Sequence, residues 1–593
     1  MTVTEKISKL RDSMAKNGLD AYIIPSTDPH MSEYVPERWS ARSWISGFTG
    51  SAGTIVVTKE KAGLWTDSRY FLQGEEQLKG SPIKLFKSGL PETPNIEEWL
   101  NDTIEKGGTV GFDGKVFAVS QVRDLEATFE RKGIKVNGEH DLIEDVWENR
   151  PSVPLNEVYV HEVKYAGKTR IEKLGEIRTE LEKQSADYSL TATLDDIAWI
   201  YNLRGSDVDF NPVFVAYTLI SKGGAVLFID ERKLTFDLKT ELENDGIEIK
   251  DYVEIAKELK GLPNGSSVLL DTGKTNYWLY SALEKSRIIE GKNPSTYLKA
   301  CKNQVEISGM KSAHKRDGAS MVKFIYWLES NIGKEKITEL SAAEKLLEFR
   351  KANDMFVGES FNTISGYGPH GAIVHYAANE ETDAEIKPEG FYLLDSGAQY
   401  LDGTTDITRM FYLGEEPTEQ EKIDYTLVLK GHINLATAKY PAGTRGSQLD
   451  AFARRFLWDN RLNYLHGTGH GVGCFLNVHE GPQNIRMEEN PTTLQEGMIS
   501  SNEPGVYRAG KYGIRIENLV LTTKDKTGEF GDFYKFETLT VCPIDKKAID
   551  ESMLTREEKA WINGYHKWVY MELSQVLDDE HRSWLTEKTD SIL

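Results

Sequence analysis

Residues Phe391 to Leu413, FYLLDSGAQYLDGTTDITRMFYL, constrain the fold more than any other stretch of the chain. Apolar and polar residues alternate, Tyr, Thr and Ile recur, and Asp402-Gly403 is a turn signal. The pattern predicts two antiparallel strands joined by a short connection. Asp395 and Asp406 are symmetric about the Tyr400–Leu401 midpoint, so they are expected near each other across the ribbon, with a bulge able to shift the register. Two neighbouring carboxylates on a rigid ribbon repel unless a cation or a proton lies between them. The plain alternative is a pair of solvated surface aspartates.

A second ribbon is predicted over Met498–Leu521, MISSNEPGVYRAGKYGIRIENLVL, with Ala509-Gly510-Lys511 at its turn. Glu503 and Glu517 are symmetric about Gly510. Glu517 stands in the apolar run IRIENLVL, where an unpaired carboxylate is costly and needs a cation or a proton. Arg515, two residues before it on the same strand face, suits a supporting role. Between the ribbons lies Tyr464–Pro482, YLHGTGHGVGCFLNVHEGP, which is too glycine-rich for a helix and lets backbone pass close to a ligand. His466, His470 and His479 are three of only 12 histidines in the chain. His375 is expected on a short apolar strand at the end of Thr363–Tyr376, and by itself it reads as a hydrogen-bonded core histidine. No HExxH helix motif occurs.

Four carboxylates with at least one imidazole suit a pair of divalent cations, Mn²⁺, Co²⁺, Fe²⁺ or Zn²⁺. Cys301, Cys474 and Cys542 are too dispersed for a thiolate site or a disulfide framework, which points to a reducing compartment. Two such ions about 3.5–4 Å apart can share a hydroxide as nucleophile at neutral pH. Nearby histidines can stabilise an oxyanion or protonate a leaving amine.

At 593 residues the chain is long enough for three or four domains. A helical stripe (Ile7, Leu10, Met14), a strand (Asp20–Ile24), a Trp- and Gly-rich turn (Trp44–Gly53) and a strand pair (Thr54–Val57, Gly63–Thr66) recur in the same order after residue 167. There the stripe is Ile171, Leu174, Ile177 and Leu181, the strand Tyr188–Ala192, and the Trp-bearing turn DIAWIYNLRG from Asp196 to Gly205. Duplicated α/β domains follow. The Pro-containing stretches Glu148–Asn156 and Gly291–Thr296 mark the joints, giving domains 1–152, 153–298 and 299–593. The third opens with a long helix near Asn303–Asn331 and a shorter one behind a Ser341–Glu344 capping box, then turns β-rich, an α+β arrangement. The tail opens with another box, Thr555–Glu558, and its Trp561, Tyr565 and Trp568 read as core packing. Arg69, just after a strand, either makes a structural ion pair or reaches into a cleft. A net charge of -22 argues against nucleic acid. The absence of a signal-type h-region and of an 18-residue apolar run leads to the expectation of a cytoplasmic chain that does not engage membranes.

The motifs LLDSGAQYLDGTTDITR, YLHGTGHGVG, NVHEGP, NEPGVY and GIRIEN, in this order, resemble the pita-bread metallopeptidases, and within them the three-domain cytosolic Xaa-Pro aminopeptidases. IIPSTDPHMSEY, SGFTGSAG, LWTDSRYFLQ and IAWIYNLRGSDVDFNPVF extend the likeness to the N-terminal domains. The resemblance implies two creatinase-N-like α/β domains before a curved antiparallel sheet packed with helices. It implies a dinuclear centre, Mn²⁺ first among the ions named, with Asp395 on one ion, His470 and Glu503 on the other, and Asp406 and Glu517 shared. Glu503 would also be the general base or proton shuttle. His375 and His479 would contact the substrate and its oxyanion, His466 would line the proline pocket, and Arg69 would reach the substrate. The activity implied is removal of the first residue ahead of proline by a homodimer. A prolidase restricted to Xaa-Pro dipeptides is the nearest rival, and a non-enzymatic scaffold of the same fold the next. Ser68 stands where relatives carry Gly, which leaves Arg69 in place.

Overall fold

The computed structural model describes residues 1–592. Met1–Glu162 with Lys168–Tyr297 forms one compact unit, and Val163–Gly167 with the chain from Leu298 onward forms a second.

The first unit contains the repeat seen in the sequence. Its first six-stranded sheet is built from β1 (Ala21–Ile24), β2 (Thr54–Thr58), β3 (Ala62–Thr66), β4 (Lys84–Lys87), β5 (Thr109–Phe112) and β6 (Lys135–Asn137), in the order β4-β3-β2-β1-β5-β6. Its second contains β7 (Tyr188–Thr191), β8 (Tyr217–Ser221), β9 (Ala225–Phe228), β10 (Ile247–Lys250), β11 (Ser267–Leu270) and β12 (Arg287–Glu290), in the order β10-β9-β8-β7-β11-β12. Strand directions also match, with two antiparallel pairings beside the central strand and parallel pairings outside them. The central strands are apolar runs covered on both faces, as such mixed sheets require. One expectation is corrected here. Each Trp-bearing segment opens in a helix, Ala41–Ser46 and Leu194–Tyr201, and leaves helical structure only from Gly47 and Asn202 onward, so the turn expected over the whole segment is confined to its glycine-bearing end. Their apolar residues recur at helical spacing, and the glycines that suggested a turn lie just beyond, with Gly47 in the left-handed conformation that ends the first of them.

The second unit is α+β. Helix α1 (Gln304–Asn331) is opened by Asn303, whose side chain accepts from the amides of Val305 and Glu306 while the Glu306 carboxylate accepts from the Asn303 amide. Helix α2 (Glu339–Lys351) is capped by Thr338 and not by the Ser341 box expected; Ser341 is instead the third helical residue and closes a box that Thr338 opens. Strands β13 (Ile364–Tyr367), β14 (Phe391–Ser396) and β15 (Ile407–Tyr412) form an antiparallel sheet. After helices α3 (Glu419–Ala436) and α4 (Gly446–Asp459), with β16 (Lys439–Pro441) between them, a second antiparallel sheet follows. Its other strands are β17 (Gly469–Gly471), β18 (Glu480–Ile485), β19 (Ile499–Asn502), β22 (Asn518–Gly528) and β23 (Gly531–Thr538), ordered β16-β23-β22-β19-β17-β18. The short ribbon of β20 (Gly505–Arg508) and β21 (Tyr512–Arg515) interrupts it. Helix α5 (Arg556–Leu573) shares one apolar cluster with α3, to which it brings Ile562, Tyr565 and Val569 and α3 brings Leu427, Val428 and Ile433; of the tail aromatics Tyr565 is buried there, and Trp561 and Trp568, partly buried, pack against it. His375 is not on a strand. It lies in the turn after β13, because Gly368, Pro369 and Gly371 end the extended run early.

Buried charge ties this unit together. Arg350 of α2 donates to both oxygens of Asp317 on α1, at 2.9 and 3.0 Å, and Tyr400 donates to the same carboxylate. Arg350→Ala leaves that carboxylate uncompensated, and the expected destabilisation is about 3–5 kcal/mol in chemical unfolding.

Candidate metal centre

The carboxylates of both ribbons sit where regular pairing gives way. In the first ribbon Asp395 lies opposite Thr408 and Tyr400 opposite Gly403, so the ribbon turns between Leu401 and Asp402, one residue later than expected. Asp406 is therefore a diagonal neighbour of Asp395 rather than its direct partner. Gly403 is a strand residue and not the turn: a Cβ there would stand 2.9 Å from that of Ala313, and its absence lets α1 approach. The register moves by two residues, an even number, so both aspartates keep the face the sequence assigned them.

In the second ribbon the expected register is observed. Asn502 faces Asn518 on one side of the interruption and Gly505 faces Arg515 on the other, all symmetric about Gly510. Between these stretches Glu503 and Glu517 leave the ladder. The Glu503 amide donates to the Thr468 carbonyl at 2.8 Å, and the Glu517 amide to the Thr408 carbonyl at 3.2 Å. Each glutamate is thereby tied to a segment carrying another of the converging residues.

His470, on β17, is oriented by its own backbone. Nδ1 is 2.9 Å from the Gly471 carbonyl and so carries the proton, which leaves Nε2 as the available donor atom. Nε2 is 3.4 Å from Asp406 Oδ2 and 3.7 Å from Glu503 Oε1. Three overlapping groups bring one potential ligand atom per residue within 4.8 Å of one another: Asp395 with Asp406 and Glu517, His470 with Glu503 and Glu517, and Asp406 with His470 and His479.

Among the described residues, Arg515, His470 and His479 offset this charge only in part. Arg515 donates to Asp395 Oδ2 at 2.6 Å, and to the Thr408 hydroxyl, which in turn donates to Glu517 Oε2 at 2.8 Å. The arginine thus pairs directly with Asp395, while its hydrogen-bonded route to Glu517 runs through Thr408. Burial, then the neighbouring carboxylates, hold Asp406 and Glu517 well above the usual carboxylate range. Glu503 is pushed up to about 8, first by burial and then by Glu517. Asp395 Oδ1 is buried with no hydrogen-bond partner. An oxygen-rich donor set with imidazole, a crowd of carboxylates and an orphaned carboxylate oxygen fit divalent cations.

Family models match along the chain: the Creatinase/Prolidase N-terminal domain at 6–145 and again at 149–306, Metallopeptidase family M24 at 308–524, and the C-terminal region of peptidase M24 at 532–592. The probable Xaa-Pro aminopeptidase P of Sordaria macrospora is 43% identical over 614 residues, which cover 99% of this chain and all of the relative. The chain belongs to the Xaa-Pro aminopeptidase P family of M24 metallopeptidases. A solved X-prolyl aminopeptidase from Caenorhabditis elegans, a cytosolic enzyme with a di-nuclear active site, superposes with a TM-score of 0.95 at 35% identity over both whole chains. The Xaa-Pro dipeptidase of Bacillus anthracis, 25% identical with a TM-score of 0.51, covers only 64% of this chain.

The remaining predicted residues of this aminopeptidase P chain fall into two sets. His479 lies beside His470, ring centres 4.3 Å apart, and shares its group with Asp406, nearer the carboxylates than a substrate contact alone requires. His466 Nδ1 bonds the Gly467 carbonyl, and its Nε2 is 2.8 Å from the Tyr507 hydroxyl, which accepts from Arg515 at 2.8 Å. The turn bearing His375 touches the same arginine, since the Val374 carbonyl is 3.4 Å from it. Arg69 belongs to the first unit, where it makes a two-pronged pair with Asp67 at 2.8 Å. Sequence reasoning missed Thr408 and Tyr507. Thr408 was legible as the same-face neighbour of Asp406; Tyr507 was not, because a tyrosine in NEPGVY carries no signal until His466 and Arg515 are beside it.

The raised groups set a pH dependence for the metal-stripped chain. A carboxyl whose folded pKa exceeds its unfolded one contributes stability below the unfolded value and loses it as pH rises through the folded value. For Glu503 that window runs from the ordinary 4.5 to about 8. Stripped of metal, the chain is expected to melt at progressively lower temperature across this window in scanning calorimetry. Added divalent cation is expected to raise the melting temperature more at pH 8 than at pH 5.

Proposed function

We propose that this chain is a metal-dependent aminopeptidase that hydrolyses the first peptide bond of peptides with proline in second position. The observation that carries the reading is the convergence of Asp395, Asp406, His470, Glu503 and Glu517 in a chain alike from end to end to Xaa-Pro aminopeptidases. Asp395 would hold one ion, and His470 with Glu503 the other. Asp406 and Glu517 would be shared, since each belongs to two of the overlapping groups and a carboxylate offers two oxygens. His470 offers a single nitrogen and cannot be shared in this way. Mn²⁺ is the ion proposed, in keeping with the oxygen-rich donors. When bound, the ions supply Lewis acidity and a water acidic enough to attack a carbonyl at neutral pH.

The chain's own groups do the rest. Glu503 would take a proton from the attacking water and pass it to the proline nitrogen as the bond breaks. His479 and His375 would donate to the substrate carbonyl oxygen as it gains charge. His466, its Nε2 capped by Tyr507, would present a fixed ring to the proline side. Arg69 is proposed to contact the peptide. Arg515 would hold Asp395 in place. A prolyl bond lacks an N–H and restricts the residue before it, so general aminopeptidases handle it poorly and a dedicated site is needed. The domains proposed are 1–152, 153–298 and 299–593. A homodimer in the cytoplasm is proposed too; no helix of the described residues is long and apolar enough to cross a membrane.

Rates on Xaa-Pro and Xaa-Pro-Xaa peptides, with chelator and with added Mn²⁺, test the reading. Tripeptides are expected to be cleaved, chelator to stop the reaction and Mn²⁺ to restore it. Activity confined to dipeptides would instead identify a prolidase. Asp406→Asn is expected to leave circular dichroism unchanged and reduce turnover to the chelated level.

A further inference from the structure

Behind the two histidines of the centre lies a buried ion triad. Glu480 Oε1 is 2.5 Å from Lys302 Nζ, and its Oε2 is 3.3 Å from Lys299 Nζ. All three side chains have 2% exposure or less. Both lysines come from the segment leading into α1, far from Glu480 in sequence.

The place of this triad is unusual in two ways. Glu480 directly follows His479, and its strand partner is Gly471, which directly follows His470. Pairing between β17 and β18 jumps there, from His470 opposite Asn484 to Gly471 opposite Glu480. The ladder behind both rings is therefore broken on the β18 side, and on the other side the His470 amide bonds the Ser501 hydroxyl and Gly471 pairs with Ser500. The second oddity is energetic. One buried anion faces two buried cations, a combination whose desolvation is not recovered by pairing, so stability alone gives no reason for it. A charged clamp does restrict direction: Lys302 donates to Glu480 Oε1, while Lys299 draws the other oxygen, which has no hydrogen-bond partner, by charge alone, and the carboxylate carries with it the chain at His479 and Gly471. Gly473 leaves room for it, since a Cβ there would stand 3.1 Å from Glu480 Oε2.

We propose that Glu480, clamped by Lys299 and Lys302, is a positioning residue that sets the His479 and His470 rings for the reaction. The proposal rests on the reading of His479 as a substrate-contacting group given above. Loss of the clamp lets the His479 ring drift from the substrate oxygen while the four carboxylates stay where their own ribbons hold them. Turnover suffers, and peptide affinity does not.

The test uses the full-length, Mn²⁺-loaded chain and an Xaa-Pro-Xaa peptide. For Glu480→Gln, kcat is expected to fall about 10–100-fold, the range typical of groups that orient ligand side chains, with KM within about twofold and two metal equivalents retained. Lys299→Met/Glu480→Leu/Lys302→Met removes the whole triad without leaving a lone charge, so it is expected to fold and to show the same kcat deficit. Wild-type kcat in either variant, or a deficit that vanishes once rates are divided by the folded, metal-loaded fraction, overturns the proposal. His479→Ala is measured beside them. If it alone is slow, the clamp proposal falls and the reading of His479 stands; if it turns over normally, that reading falls and takes the clamp with it.

Discussion

Mutual repulsion among Asp395, Asp406, Glu503 and Glu517 is the constraint on which the rest of the second unit depends. Four carboxylates drawn to within a few ångströms oppose folding unless something positive joins them. The chain supplies one guanidinium, Arg515, and spends it on Asp395. Burial and the remaining carboxylates keep Asp406, Glu503 and Glu517 avid for protons. A site held in this condition is primed for cations, because every ion bound relieves a penalty already present.

Holding such a site open takes rigidity, and the surrounding architecture is built for it. The ligand-bearing strands are tied to one another at the points where their ladders break, through the Glu503 amide to Thr468 and the Glu517 amide to Thr408. Arg409 donates to the Glu517 carbonyl and the Cys542 carbonyl, and the Tyr565 hydroxyl of α5 accepts from the same guanidinium, so α5 fixes the back of the glutamate strand. Asp424 on α3 accepts from Arg508 and Tyr512 and so anchors the turn of the ribbon that carries Arg515. Buried charge is used here for direction more than for stability, and the Lys299–Glu480–Lys302 clamp extends the same device to the histidine side.

Much of this was legible before any coordinates. The symmetry of Glu503 and Glu517 about Gly510 predicted their register, because a tight turn and strand alternation leave little freedom over so short a span. The aspartate ribbon was misread by one position at its turn, since Gly403 is demanded by the approach of α1 and not by the turn itself. His375 was placed on a strand that ends at Tyr367, eight residues early. The Trp segments were read as turns throughout although they open in helices, because short apolar runs beside glycines carry both periods equally well.

Alternation, turn chemistry and residue type therefore indicated, from the sequence alone, which side chains share a face, that the N-terminal half is a repeat, and that the acidic ribbons, once brought together, need a cation or a proton. Those properties are local, decided by backbone geometry over a few residues. What only the tertiary structure decided is which distant groups meet: that Arg515 serves Asp395, that Tyr507 caps His466, and that two lysines ahead of α1 grip the residue after His479. Such meetings depend on how helices and sheets pack around one another, and packing is set by the summed shape of many side chains, which no single motif encodes.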